Sequence, residues 1–170
     1  MNYFELFEIP VSFELDTVEL KRKYYVLSKT FHPDRFTLKS ETEQLLALNQ
    51  STEINKAYRT LKERQSRIRY ILELKGVIFV EGQEKVPQDF LMEMMEINES
   101  LMELKLDPEP SSIRRIEKQI EEIETSLGKE ISAVMELIDL DNPDESKLEL
   151  VKIYYLKTKY LQRLRENLFN

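Results

Sequence analysis

Ile113, Ile116, Ile120, Ile123, Leu127, Ile131, Val134 and Ile138 recur at steps of three and four residues. Only a helix returns side chains to one face at that interval, so the run commits about seven turns of chain to one helix. Its apolar stripe has to be covered by neighbours, which makes a bundle seam. Gly128 lies inside the run without breaking its period. The flanking segments supply the cover. Upstream, Pro87 sits at a helix start, and Gln88 to Leu104 continues as a helix with Phe90, Met94, Ile97, Leu101 and Leu104 on one stripe. Pro108 and Pro110 then break the chain, and Ser111 or Ser112 can cap the seam helix. Downstream, Asp141-Asn142-Pro143 offers an Asn cap, a Pro at the first helical position and Glu145 as the reciprocal acid. The helix it starts is predicted to bury Leu150, Tyr154, Leu161, Leu164 and Leu168, with Leu148, Val151 and Tyr155 on a different side. The expectation is a C-terminal three-helix bundle over residues 87–170.

The first helix of that bundle carries more apolar surface than one bundle face requires. Leu91, Met92, Met95 and Met102 lie beside its core stripe, fringed by Glu96, Glu99 and Glu103. Either the helix is sandwiched deeply between neighbours, or this Met-rich surface awaits a partner.

The N-terminal half reads as helical too, as expected of a chain with 3 Gly in 170 residues. Asn2 with Glu5 forms a start signal for a short helix through Tyr3, Phe4, Leu6 and Phe7, ended by Pro10. Asp16 and Glu19 repeat the signal, and the helix that follows runs to Phe31. Leu20, Tyr24, Leu27 and Phe31 share its packing stripe, while Arg22, Val26 and Lys29 lie on the opposite, basic side. His32-Pro33-Asp34 stops it, because Pro33 pushes His32 out of the helical region, and a stiff polar tip results. After a linker from Phe36 to Ser40, a single long helix is predicted over residues 41–74, with Ala47, Ile54, Ala57, Tyr58, Leu61, Ile68 and Leu72 on one arc and its late part serving as an inter-domain strut. Gly76 to Lys85 alone lacks helical period and is expected to be a structured linker with an apolar side chain tucked against a helix.

Charge and composition narrow the function. Before Gly76 there are 13 basic and 11 acidic residues; from Gly76 onward there are 12 basic and 21 acidic. The opposite fields suggest two partners or two roles. With no Cys, disulfides, cysteine nucleophiles and cysteine-held metals are excluded, and a single His cannot build a two-His zinc motif. No Gly-rich phosphate loop is present, and nothing resembles a nucleophile held by a base and an orienting group. No catalytic residue, metal or cofactor is expected. The N-terminus lacks the pattern of a secretory signal and no stretch is long enough to span a bilayer, so a cytoplasmic protein with no membrane partner is expected.

Three stretches resemble a J domain: Tyr3-Phe4-Glu5-Leu6-Phe7, the basic helix ending in His32-Pro33-Asp34-Arg35-Phe36, and Ile54-Asn55-Lys56-Ala57-Tyr58-Arg59-Thr60-Leu61. Arg67-Ile68-Arg69-Tyr70-Ile71-Leu72 and Phe90-Leu91-Met92-Glu93-Met94-Met95-Glu96 are similar to segments of HscB-type J-proteins, the co-chaperones of iron–sulfur cluster biogenesis. The resemblance implies an all-α, L-shaped or elongated, monomeric chain with a J domain over 1–75, a linker over 76–86 and a scaffold-binding bundle over 87–170. It implies that His32, Pro33 and Asp34 trigger ATP hydrolysis by an HscA/DnaK-class chaperone, with Arg22, Val26, Lys29 and Arg35 in the docking face. It places an IscU-type scaffold protein on Leu91, Met92, Met95, Glu96, Glu99, Glu103 and Tyr155. Asn98 departs from the pattern, standing where relatives often carry a basic residue. The lack of Cys implies a bacterial form without the metal-binding extension of eukaryotic relatives. Two other classes compete with this reading: a helical adaptor that self-associates through its C-terminal bundle, and a nucleic-acid binder using the basic helix. The acidic whole disfavours the last, and no nucleic-acid partner is expected.

Overall fold

Capping chemistry sets where the helices begin. In the computed structural model, which describes residues 1–169, the Asn2 side chain accepts the Glu5 N–H at 3.0 Å and the Glu5 carboxylate accepts the Asn2 N–H at 2.8 Å, opening α1 (Tyr3–Leu6). Glu8, at φ 53°, closes that helix before Pro10 is reached. Asp16 accepts the Val18 and Glu19 N–H groups and opens α2 (Thr17–Thr30). A 3₁₀ turn over Pro33–Phe36 follows, and Ser40 with Glu43 caps α3 (Glu41–Lys62) reciprocally. All regular structure among the described residues is helical, and the chain divides into two compact units, one from Met1 to Leu74 and one from Lys75 onward.

In the first unit Phe4, Phe7, Leu20, Ile54, Ala57 and Leu61 form the core where α1 and α2 meet α3. Tyr24 stacks on Tyr58 at 4.1 Å and its hydroxyl donates to Asn55 at 2.8 Å, which fixes α2 against α3. The single helix predicted over residues 41–74 is broken. Glu63 is extended, and a separate α4 runs Arg64–Leu74. Side chains hold the break open by taking the carbonyls it frees: Ser66 Oγ donates to Thr60 and Glu63, and Arg67 Nη1 donates to Leu61 at 2.7 Å. Arg67 Nε also reaches the Phe13 carbonyl at 2.8 Å, and the residue is 4% exposed. Burial lowers its guanidinium pKa, against the raising pull of Glu14. Within its own unit this helix is packed, with Tyr70 stacked on Tyr3 at 4.5 Å and its hydroxyl accepting the Tyr3 N–H.

Gly76, at φ 89°, ends α4 in the left-handed conformation that glycine tolerates best. The following segment is tucked as expected: Phe79 packs edge-on against Tyr155 at 5.5 Å, and Lys152 donates to the Ile78 carbonyl. The helix predicted over residues 88–104 is two, α5 (Gln88–Glu93) and α6 (Met95–Leu106), separated at Met94. The Met94 carbonyl receives both the Asn98 backbone N–H and the Asn98 side-chain amide, a local competition that bends helices. The seam helix α7 (Pro110–Leu137) starts at Pro110 rather than at a Ser cap, since Pro suits the first helical position, where no N–H is needed. The last helix, α8 (Glu145–Leu168), is capped by Asp144 rather than Asn142. Hydrogen bonds from Ser146 hold the Asp144 carboxyl below its usual range, so this cap is kept at neutral pH and lost as acid protonates it. Phe90, Met94, Ile97, Ile116, Ile120 and Leu161 centre the second core. Leu150, expected inside, is 49% exposed, whereas Leu148, Val151 and Tyr155, expected on another side, are buried. Cover from Phe79 accounts for Tyr155.

Candidate functional site

The first candidate surface is the tip between α2 and α3. His32 is the extended cap of the 3₁₀ turn and Pro33 its first residue, so two constrained backbones meet at the point of the hairpin. His32 Nδ1 accepts the Asp34 N–H at 3.2 Å and lies 3.6 Å from the Asp34 carboxylate. That use of Nδ1 leaves Nε2 for another molecule. His32, Pro33 and Asp34 are all exposed. Arg35 tethers the turn to α2 through the Lys29 carbonyl at 3.2 Å, and the Gln44 side-chain amide donates to the Thr37 and Lys39 carbonyls, tying the rest of the loop to α3. Sequence reasoning missed Gln44, whose loop-facing amide only the folded backbone reveals.

Beside the tip, Arg22, Val26 and Lys29 are exposed along α2, with Val26 at 55%. Arg22 is bound through two nitrogens to Glu19, at 2.7 and 2.9 Å. The shared hydrogen bonds raise the Arg22 pKa and lower that of Glu19. Arg22 and Val26 also line a groove floored by Leu6, Phe7 and Leu27, so the basic face has an apolar neighbour.

The second candidate surface lies on α5 and α6. Their shared core stripe, Phe90, Met94, Ile97, Leu101 and Leu104, is buried. The adjoining set is not: Met92, Met95 and Met102 are 63%, 57% and 69% exposed, and Leu91 is half-buried. Glu96, Glu99 and Glu103 are exposed beside them. Deep burial of this set between neighbouring helices is thus not what the structure shows. Tyr155 does not join this face: it is 5% exposed beneath Phe79. Asn98 donates its amide to the Tyr160 hydroxyl and the Met94 carbonyl, so its polar group is occupied in holding α6 to α8.

Among the described residues no helix is long and apolar enough to cross a membrane, and no group of three or more His, Asp and Glu is placed to hold a metal.

Comparison with known proteins relates both halves of the chain to known domains. Residues 2–70 match the DnaJ domain, and residues 86–168 match the HSCB C-terminal oligomerisation domain. The chain is 36% identical over 177 residues to the co-chaperone protein HscB homolog of Photobacterium profundum, covering 100% of each. It also superposes on the chaperone HscB from Vibrio cholerae with a TM-score of 0.80 at 29% identity, over 99% of this chain and 96% of that one. Against the crystal structure of the human co-chaperone protein HscB the TM-score is 0.85 at 29% identity, over 99% and 81% of the two chains.

Proposed function

Because the chain belongs to the HscB family of J-protein co-chaperones, we propose that it brings an IscU-type scaffold protein to an HscA/DnaK-class chaperone and stimulates that chaperone's ATP hydrolysis in iron–sulfur cluster assembly. The observation that carries this reading is that one chain presents both a stiffened, exposed His32-Pro33-Asp34 tip and an exposed, acid-rimmed methionine face.

The chemistry of each surface follows from its geometry. The Asp34 carboxylate accepts a paired hydrogen bond from an arginine of the chaperone, and His32 Nε2 offers a second contact on the same tip. Arg22 and Lys29 steer an acidic surface of the ATPase onto α2, with Val26 as the apolar contact between them. Arg22 must exchange Glu19 for a carboxylate of the partner, so its contribution is the difference between two ion pairs. Arg35, bound to Lys29, works chiefly by tethering the tip. The scaffold docks on Leu91, Met92 and Met95, whose flexible side chains adapt to its surface, while Glu96, Glu99 and Glu103 set orientation from the rim. The chain acts as an activator; the chemistry belongs to the chaperone.

A second reading is favoured by the oligomerisation label of the matched C-terminal family: a second copy covers the methionine face. One experiment separates the two. Steady-state ATP turnover by the chaperone of the same cell is measured with the chain and the scaffold, added separately and together. Stimulation by the chain alone, and a combined effect larger than the separate ones added, is expected; no stimulation overturns the proposal, and stimulation without scaffold capture favours self-association.

A further inference from the structure

The chain contains 6 Met and no Cys, so thioethers are its only oxidisable sulfur. Three of them, Met92, Met95 and Met102, stand on one face of α5 and α6 with more than half of each exposed. Met94, in the same short stretch, is 1% exposed. Neighbouring methionines of the same intrinsic reactivity are thus sorted by accessibility alone. Exposed Glu96, Glu99 and Glu103 surround the accessible set and repel anionic oxidants, while a neutral peroxide meets no such barrier.

We propose that Met92, Met95 and Met102 are a peroxide-responsive modification site, at which conversion to methionine sulfoxide releases the scaffold protein. This rests on the reading of the same face as the scaffold-docking surface. In the step, a thioether sulfur attacks one peroxide oxygen. The S–O bond forms as the O–O bond of hydrogen peroxide, the oxidant, breaks; sulfur loses two electrons, and the departing hydroxide takes the proton of the transferred oxygen and leaves as water. Each sulfoxide places a strongly polar oxygen where the docked complex needs an apolar contact, with no donor from this chain to meet it: the flanking Glu96, Glu99 and Glu103 carboxylates are acceptors. The change is reversible by methionine sulfoxide reductases, so the face returns to its docking state once the oxidant is gone.

The test treats the full chain with hydrogen peroxide, follows each methionine by peptide mass spectrometry, and measures binding to purified IscU-type scaffold before oxidation, after it, and after treatment with both methionine sulfoxide reductases. Met92, Met95 and Met102 are expected to oxidise well before Met94, whose intact thioether also reports that the fold survives. Scaffold affinity is expected to fall on the order of tenfold or more and to recover after reduction. Met92→Gln with Met95→Gln, polar side chains of similar length, should lower affinity without any oxidant. Oxidation of Met94 at the same rate as the others, or unchanged binding by the oxidised chain, overturns the proposal. If the untreated chain fails to bind scaffold, the docking reading itself falls and the release mechanism with it, an outcome distinct from binding that peroxide leaves unchanged.

Discussion

Truncating Leu91, Met92 and Met95 together to alanine is expected to weaken scaffold binding by about 3 kcal/mol, on the order of a hundredfold in Kd, while leaving thermal stability little changed. The split between binding and stability follows from where these side chains sit. Met92 and Met95 are more than half exposed and Leu91 is half-buried, so the free chain loses little packing when they are shortened. In the proposed docked complex the same side chains would be buried anchors, and each removed methylene group would forfeit transfer free energy and shape complementarity. The control is Met94, one residue away and 1% exposed, where truncation should leave a cavity and lower stability instead. Titration calorimetry for binding and thermal melts for stability read the two quantities independently. Unchanged affinity in a folded triple variant would remove this face from scaffold recognition.

Arg67→Ala is expected to destabilise the N-terminal unit by about 3 kcal/mol in denaturant titration. The side chain is enclosed and spends its donors on the Phe13 and Leu61 carbonyls, which belong to the segment before α2 and to the last turn of α3. Removing it leaves both acceptors buried without their partner and releases the break at Glu63 that sets the direction of α4. Arg67→Lys should recover only part of the loss, because an ammonium point charge cannot span two carbonyls with the geometry of a planar guanidinium. An Arg67→Ala variant unfolding at the wild-type denaturant concentration would show that the break is held by the apolar core alone.

Much of this architecture was legible in the residues, and the parts that were not share a cause. Periodicity located the core stripes of α6 and α7 but only Leu20 of the stripe named for α2, whose Tyr24, Leu27 and Phe31 are part-buried, and the Asn2–Glu5 cap gave the start of α1, because apolar spacing and capping chemistry are local properties. The breaks at Glu63 and Met94 were missed because neither carries Gly or Pro. They are held by Ser66, Arg67 and Asn98, whose side chains take carbonyls three to six residues away, while Arg67 and Asn98 are also held by the distant Phe13 carbonyl and Tyr160 hydroxyl, which only the fold brings near. Tyr155 was misplaced for a related reason: the pattern of α8 shows two apolar sides, but nothing in the sequence says that Phe79 covers one of them. Exposure was likewise beyond periodicity. The methionine set adjoins the core stripe at helical spacing, and only the coordinates show that the bundle leaves it uncovered.

The central claim is that the tip of the α2–α3 hairpin excites nucleotide turnover in another protein. Its most direct test is steady-state ATP hydrolysis by the cognate chaperone over a range of concentrations of wild type and of His32→Gln. The substitution falls on an exposed residue, so folding and scaffold binding should be retained. The account predicts that His32→Gln fails to stimulate hydrolysis at any concentration; stimulation equal to wild type would contradict it.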